Sequence, residues 1–291
     1  MERQTITRQA LEEHIKRCVL EASENTVTAE TAADAADIES PIYDEPVICI
    51  GSADDPLWAQ IRKKQAVGEI WKTPKEWLPA AKRIISIFTP FSRYVLESNA
   101  KDPTYPGSGW LSGYNTGGAL VKSAGRKTAQ LLQEEGFQAV CPVVSPDFLS
   151  VSAPGSNPKL PPQLSYQSNW SERHAAFVCG HGSFGWSRGI ITKRGIAGRF
   201  ASVITDLELE PDERPYEGLY DYCVMCGKCA KNCPAQAIDM QEGKKHYPCN
   251  MWLNHMGEVT HFADTCGKCQ VNVPCMDHIP APKFRQYSIL K

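Results

Sequence analysis

Four cysteines lie within eleven residues of this chain. Cys223, Cys226, Cys229 and Cys233 follow the spacing C-x2-C-x2-C-x3-C, and a proline follows the last of them. This spacing is typical of thiolate ligands to [4Fe–4S] clusters, in which three thiolates bind one cube and the fourth binds a neighbouring cube. A tetrahedral zinc site would favour two cysteine pairs with a longer spacer between them. The spacing therefore predicts iron–sulfur chemistry, with zinc or disulfides as the alternatives.

Four further cysteines complete the eight thiolates that two cubes need. We expect the first cluster to bind Cys223, Cys226, Cys229 and Cys275. We expect the second cluster to bind Cys233, Cys249, Cys266 and Cys269. Five residues separate Cys269 from Cys275, where three would be regular, so a [3Fe–4S] first cluster remains an alternative. The other cysteines, which we expect to be buried bystanders among apolar neighbours, are Cys18, Cys49, Cys141 and Cys179.

The composition limits the class of protein. The chain has 291 residues, 42% of them hydrophobic, which is enough for one large domain and a smaller one. A net charge of −2 and a pI near 6.4 predict no broad surface for nucleic acid. No apolar run approaches the roughly 18 residues of a membrane span, and Met1-Glu2-Arg3-Gln4 carries neither a secretory apolar region nor a twin-arginine pair. We therefore predict a cytoplasmic protein without a membrane partner.

Strands that alternate with helices predict an α/β or α+β domain ahead of the cysteines. Helices are expected over 8–22, 117–135 and 171–178, with a short helix at the capping box Thr73-Pro74-Lys75-Glu76. Strands are expected over 84–88, 137–144 and 200–204. The proline-rich residues 145–165 are expected to form a long loop. An acidic stretch over 206–221 predicts a solvated boundary before the cysteines.

Six residues match the dinucleotide-binding pattern G-x-G-x-x-G but lack its usual context. They are Gly180, His181, Gly182, Ser183, Phe184 and Gly185. A dinucleotide motif should follow a strand and open a helix, whereas here a helix is expected before the motif and the β-prone residues 190–192 follow it. The glycines would equally allow a tight packed turn or the close approach of another large cofactor. We therefore do not favour NAD binding.

Several segments follow one another in an order that is more specific than any single motif. They are Ser171-Glu172-Arg173-His174-Ala175-Ala176, then Gly180–Gly185, Ile191-Thr192, Val203-Ile204-Thr205-Asp206-Leu207 and the cysteine-rich stretch. In this order, over about residues 65–280, the chain resembles reductive dehalogenases and epoxyqueuosine reductases. Cys249 stands where those reductases have a lone cysteine, and Cys266-Gly267-Lys268-Cys269-Gln270 resembles their final cysteine cluster.

The resemblance implies a fold and a set of cofactors. It implies a nitroreductase-like α/β (α+β) domain over 65–210 that holds cobalamin base-off, after a helical and irregular region over 1–64. It also implies a ferredoxin-like domain over 211–291, whose two [4Fe–4S] clusters feed electrons to the cobalt. In this picture Gly180–Gly185 line the corrinoid. The cofactor carries the hard chemistry, and the protein supplies orientation, proton delivery and a path for electrons.

The chain departs from both families at the position of the proton donor. Epoxyqueuosine reductases have an acidic donor ahead of the glutamate, where this chain has Tyr166-Gln167-Ser168-Asn169-Trp170. Dehalogenases use a tyrosine, so Tyr166 is a candidate catalytic proton donor; the alternative is a tyrosine packed in a loop. Neither the tRNA-holding repeats of the one family nor the export signal of the other is expected here. We therefore expect neither activity unchanged.

Three functions are compatible with these residues. The leading hypothesis is a cobalamin- and iron–sulfur-dependent reductase of a small organic substrate. Such an enzyme would take electrons from a donor such as a ferredoxin or flavodoxin, and we expect no nucleic-acid partner. The first alternative is an electron-transfer protein that reduces the corrinoid or flavin of a partner. The second is a cobalamin carrier or sensor. A proton donor that faces the cofactor would favour the enzyme.

Overall fold

The computed structural model describes residues 6–284, so Met1–Gln4 lie outside the described residues. The helices are α1 (Arg8–Leu20), α2 (Leu57–Gln60), α3 (Pro74–Trp77), α4 (Arg93–Ala100), α5 (Ser108–Glu134), α6 (Glu172–Val178), α7 (Lys228–Lys231) and α8 (His246–Thr260). The strands are β1 (Val47–Ser52), β2 (Arg83–Pro90), β3 (Ala139–Val140), β4 (Ser150–Val151), β5 (Gln167–Ser168), β6 (Gly182–Phe184), β7 (Ile190–Thr192), β8 (Gly198–Thr205), β9 (Ile238–Asp239) and β10 (Gly243–Lys244). No helix within 6–284 has the length and apolar character needed to cross a membrane.

A four-stranded antiparallel sheet forms the centre of the fold, in the order β1-β2-β8-β3. Successive side chains of β2 point to opposite faces and meet different helices. Ile84 packs in one apolar cluster with Ala175 of α6. Ile85 packs in another with Leu11 of α1 and Leu132 of α5. Both faces of the sheet are therefore covered, and the predicted α+β class is confirmed.

Two predicted elements have different bounds in the structure. Helix α5 begins at Ser108 rather than near residue 117, because the glycines in its first turns allow close packing. A Cβ at Gly117 would lie 2.6 Å from the Tyr43 hydroxyl oxygen. Glycine lowers the helix propensity at this position, but it is the residue that lets α5 pack closely on Tyr43. The strand predicted over 137–144 is limited to β3, because a 3₁₀ turn begins at Pro142.

The cysteine-rich segment is attached to the sheet domain by specific contacts. The buried Lys268 ammonium donates to the Asn99 and Asp102 carbonyl oxygens, each at 2.7 Å. The Trp110 indole donates to the Thr265 hydroxyl at 2.9 Å. A Cβ at Gly267, whose φ is +68°, would lie 2.1 Å from the Trp110 ring. These contacts hold the cysteines at a defined position beside α4 and α5.

Candidate cluster and cofactor sites

The first cysteine group consists of Cys223, Cys226, Cys229 and Cys275, and all four line one small cavity. Burial raises the pKa of the Cys275 thiol, and the nearby Cys229, Cys223 and Cys226 raise it further. The Cys275 carbonyl also accepts a hydrogen bond from the Ile196 amide at 2.8 Å. The cysteine with the irregular spacing therefore lies beside the other three.

The second cysteine group consists of Cys233, Cys249, Cys266 and Cys269, which together line a larger cavity. The Ala237 amide donates to the Cys233 sulfur at 3.3 Å. The Trp252 indole N–H approaches the Cys266 thiol but makes no hydrogen bond of normal geometry to any described residue. Because N–H donors commonly point at cluster sulfurs, this donor fits an iron–sulfur group bound here.

The arrangement of the thiols differs from a site for one ion. Among the described residues, no three His, Cys, Asp or Glu side chains are placed to hold a single metal ion. Each group of four cysteines instead lines one cavity, and four thiolates are what one cube needs. The ligand sets predicted from the spacing are thus the two sets that the fold brings together, and their binding of clusters stays a proposal.

The second cysteine group forms one end of what we call the central cavity, with a volume of about 440 Å³. Glu172 and Arg173 of α6, together with residues 198–200 of β8, line the same cavity. A neighbouring space of about 710 Å³, the outer groove, extends along α5. Tyr114, Glu172, Arg199 and Phe200 line both spaces. A cluster would fill one end of the central cavity, and the rest could hold a much larger ligand.

Glu172 is a buried carboxyl without a partner in this cavity wall. Neither of its oxygens makes a hydrogen bond to the described residues, although Trp170 and Ser202 lie close. The Trp170 indole instead donates to the Ser202 hydroxyl at 2.8 Å. Burial raises the pKa of Glu172 to about 7, against the weaker opposing effect of these two neighbours. An unpaired buried polar group is costly, so Glu172 indicates a ligand with hydrogen-bond donors.

Glu172 should make the stability of the corrinoid-free protein depend on pH. Its pKa of about 7 in the folded state lies above the ordinary 4.5. The folded protein therefore keeps a proton that the unfolded chain has lost, and stability falls as pH rises through this window. Glu172→Gln should remove about 3 kcal/mol of this pH dependence. Urea denaturation midpoints of both proteins between about pH 5 and about pH 8 measure it.

The matched control for this prediction is Glu258→Gln, at an exposed position of α8. We expect this variant to follow the wild-type pH dependence. Equal pH dependence of wild type and Glu172→Gln would show that the Glu172 carboxyl is not held protonated by burial.

The six residues predicted to line the cofactor lie in different surroundings. Phe184 lines the cavity beside Tyr166, and Gly185 lines the first cysteine group. His181 is buried and meets the Ser86 carbonyl oxygen at 2.9 Å, and burial lowers its pKa to about 4. Ser183 accepts a hydrogen bond from the Tyr222 amide. None of the six lines the central cavity, and their cofactor role stays a prediction.

Gly180 and Gly182 have structural reasons of their own to be glycines. Gly180 has φ of +99°, a conformation that favours glycine. A Cβ at Gly182 would lie 1.9 Å from the Ile191 carbonyl oxygen on the paired strand β7. A larger residue at Gly182 would therefore disrupt the β6–β7 hairpin whether or not a cofactor binds.

Tyr166 lies at a third space of about 390 Å³, which we call the tyrosine cavity. Its ring stacks on His246 with centroids 4.7 Å apart. Its φ of +54° is in the left-handed region, which non-glycine residues rarely occupy outside functional or strained sites. Burial raises the pKa of Tyr166, and Tyr247 and Cys249 add to the rise. Arg173 lines both this cavity and the central cavity, so the two spaces share a wall.

Sequence reasoning missed several of these residues as members of a site. In the sequence, Glu172 and Arg173 stand out only as part of the segment that resembles the reductases, and no local pattern marks Arg188, His246 or Trp252 as site residues. Arg188 has φ of +65° and its guanidinium meets His246 at 2.6 Å. These contacts join residues far apart in the chain, so no local pattern could reveal them.

Comparison with known proteins places these sites in context. The family model described as a 4Fe-4S binding domain matches residues 219–239, which contain Cys223, Cys226, Cys229 and Cys233. Tetrachloroethene reductive dehalogenase of Desulfitobacterium hafniense is 42% identical over 71 residues. Over that stretch the chain is a homologue of reductive dehalogenases. The match spans 24% of this chain and 13% of the dehalogenase.

The fold agrees with this relationship. The catabolic reductive dehalogenase NpRdhA matches 95% of this chain and 37% of its own, with a TM-score of 0.50 and 14% identity. Epoxyqueuosine reductase from Streptococcus thermophilus covers 82% of this chain and 66% of its own, with a TM-score of 0.46 and 18% identity. The chain therefore contains a 4Fe-4S binding domain within a fold similar to that of NpRdhA.

The relatives differ in what they act on. One structurally similar reductive dehalogenase is described as carrying out B12-dependent dehalogenation. Epoxyqueuosine reductase has been solved with a modified tRNA stem loop.

Proposed function

We propose that this protein is a corrinoid- and iron–sulfur-dependent reductase of a small organic substrate, with two [4Fe–4S] clusters. One observation carries the proposal. The second cysteine group and the unpaired Glu172 line the same central cavity. A cluster and a large cofactor would thus be neighbours without intervening protein, as electron delivery to a cofactor requires.

The described residues fit a corrinoid in the central cavity and outer groove. Its edge carries amide groups, which can donate hydrogen bonds to the Glu172 carboxyl. The side of α5 offers room, because a Cβ at Gly118 would meet nothing within 4 Å. Arg199 stacks over the Tyr114 ring at 4.7 Å and is thereby held at the wall. A bound corrinoid would supply a strongly reducing and nucleophilic cobalt, with the clusters as its electron source.

Tyr166, which lines the adjoining tyrosine cavity, is the proton donor of this proposal. The phenol, whose pKa is raised above the ordinary value of 10 by burial, carries its proton at neutral pH and can donate it to a substrate as charge develops. Stacking on His246 restricts the ring to one orientation. We infer that Tyr166 protonates the product, and that the substrate enters through the tyrosine cavity with its reacting group at the Arg173 wall, which this cavity shares with the central cavity.

Halide release tests this function. Anaerobic protein reconstituted with iron, sulfide and cobalamin would be reduced by titanium(III) citrate or by a reduced ferredoxin. It would then be given small halogenated alkenes and halogenated aromatic compounds. We expect halide release that requires both the protein and cobalamin. Electron transfer to a partner corrinoid or flavin protein without any halide release would overturn the enzyme and support the electron-transfer alternative.

A further inference from the structure

The tyrosine cavity has a basic side and an apolar side. Lys63, Arg173 and Arg188 line it, and no Asp or Glu does so among the described residues. Phe177 and Phe184 form part of the apolar side. A cavity with this division suits a molecule that has one anionic group and a compact apolar body.

The two guanidinium groups in this wall lack acidic partners. None of the ion pairs between described residues involves Arg173 or Arg188. Arg173 donates instead to the Arg188 carbonyl oxygen at 2.9 Å, and Arg188 meets the His246 Nε2 at 2.6 Å. Arg173 is exposed and Arg188 is half-buried, so an anionic ligand that enters the tyrosine cavity can reach both guanidinium groups.

Arg173 and Arg188 differ in what else could balance them. Arg173 also lines the central cavity and feels the thiols of Cys269 and Cys249, so a cluster would partly compensate its charge. Arg188 lines the tyrosine cavity but not the central one. Its side chain faces the space beside Tyr166, so a substitution of Arg188 should change the affinity for a ligand bound in the tyrosine cavity.

We propose that the tyrosine cavity selects small organic carboxylates, whose anionic group Arg188 and Arg173 bind while the apolar body lies against Phe177 and Phe184. The inference rests on the proposed function in one respect, that the bound carboxylate is the substrate of the reductase. The carboxylate is the chosen group because a planar guanidinium binds it with two parallel hydrogen bonds.

Benzoate and benzamide are suitable probes, because they have nearly the same shape, differ in charge and carry no halogen to react. Calorimetry would measure the affinity of cluster- and cobalamin-loaded protein for each. We expect benzoate to bind, and benzamide to bind at least about tenfold more weakly. This factor corresponds to the loss of one charge-assisted hydrogen bond. Arg188→Gln should weaken benzoate by a similar factor and leave benzamide unchanged. Arg188→Lys should restore part of the benzoate affinity.

The matched control is Arg93→Gln, an exposed arginine paired with Glu97 on α4, which should bind both probes as wild type does. Equal affinity for benzoate and benzamide would overturn the inference even if halide is released. A second pair of results would also overturn the inference: benzoate binding that is lost when cobalamin is loaded, together with loss of cobalamin binding in Arg173→Gln. The two arginines would then bind the phosphodiester of the cofactor and not a substrate. Selective benzoate binding without any halide release would support the anion site and contradict the proposed function.

Discussion

Protein that carries Cys226→Ser should contain about half of the iron and sulfide of the wild type, close to four irons instead of about eight per chain. Cys226 lines only the cavity of the first cysteine group, whereas the second group lines the central cavity. Loss of one ligand should therefore remove or destabilise one cube. Iron and sulfide analysis after anaerobic reconstitution measures this, and electron paramagnetic resonance identifies the cluster that remains.

Cys18→Ser is the control for this variant. Cys18 lies on α1, where its sulfur meets the His14 ring nitrogen at 3.4 Å, and it lines neither cysteine cavity. Its replacement should leave the iron content unchanged. Wild-type iron in Cys226→Ser would contradict the ligand assignment. Loss of all iron would contradict the independence of the two sites and indicate that cluster binding and folding are coupled.

Tyr166→Phe should lower the rate of product formation by about 10²- to 10⁴-fold, the usual contribution of a positioned acid. The phenylalanine ring can still stack on His246, so the shape of the tyrosine cavity should be kept. Tyr166 does not line the central cavity, and the variant should bind cobalamin as wild type does. Halide release and cobalamin affinity, measured on the same preparation, separate these two effects.

The control for the tyrosine is Tyr105→Phe, an exposed residue in the loop before α5. We expect it to release halide at the wild-type rate. A wild-type rate in Tyr166→Phe would mean that the product takes its proton from another group or from water, and that Tyr166 is a packed loop residue.

The sequence predicted best the features that depend on local spacing. The motif spacing predicted two sets of four cysteines, with Cys275 as the member of irregular spacing, and each set lines one cavity; their binding of clusters stays a prediction. The apolar runs of β2 and β8 were recognised as strands, because buried strands are continuous in hydrophobicity. The capping box at Thr73 does begin α3, where the Glu76 carboxylate accepts from the Thr73 amide at 2.8 Å.

Features that depend on tertiary contact could not be read from the chain. The start of α5 carries glycines that disfavour a helix in isolation, and tertiary contacts explain several of them: Gly109 packs on Tyr94, Gly113 on Val95 and Gly117 on Tyr43. The central cavity joins α6, β8 and the cysteine-rich segment, which are separated by tens of residues. The G-x-G-x-x-G pattern suggests a cofactor, but Gly182 also has a structural reason to be glycine. Its missing side chain lets β7 pair closely with β6.

The most direct test of the central claim is electron paramagnetic resonance of cob(II)alamin added to the anaerobic, cluster-loaded protein. The account predicts binding of about one cobalamin per chain in the micromolar range, typical of ligands that occupy a preformed cavity. It also predicts that the cobalt signal broadens when the clusters are reduced, because the second cysteine group shares the cavity with the corrinoid. The broadening should disappear in Cys266→Ser. A cobalt signal identical to that of free cob(II)alamin, at tens of micromolar protein with both clusters present, would contradict it.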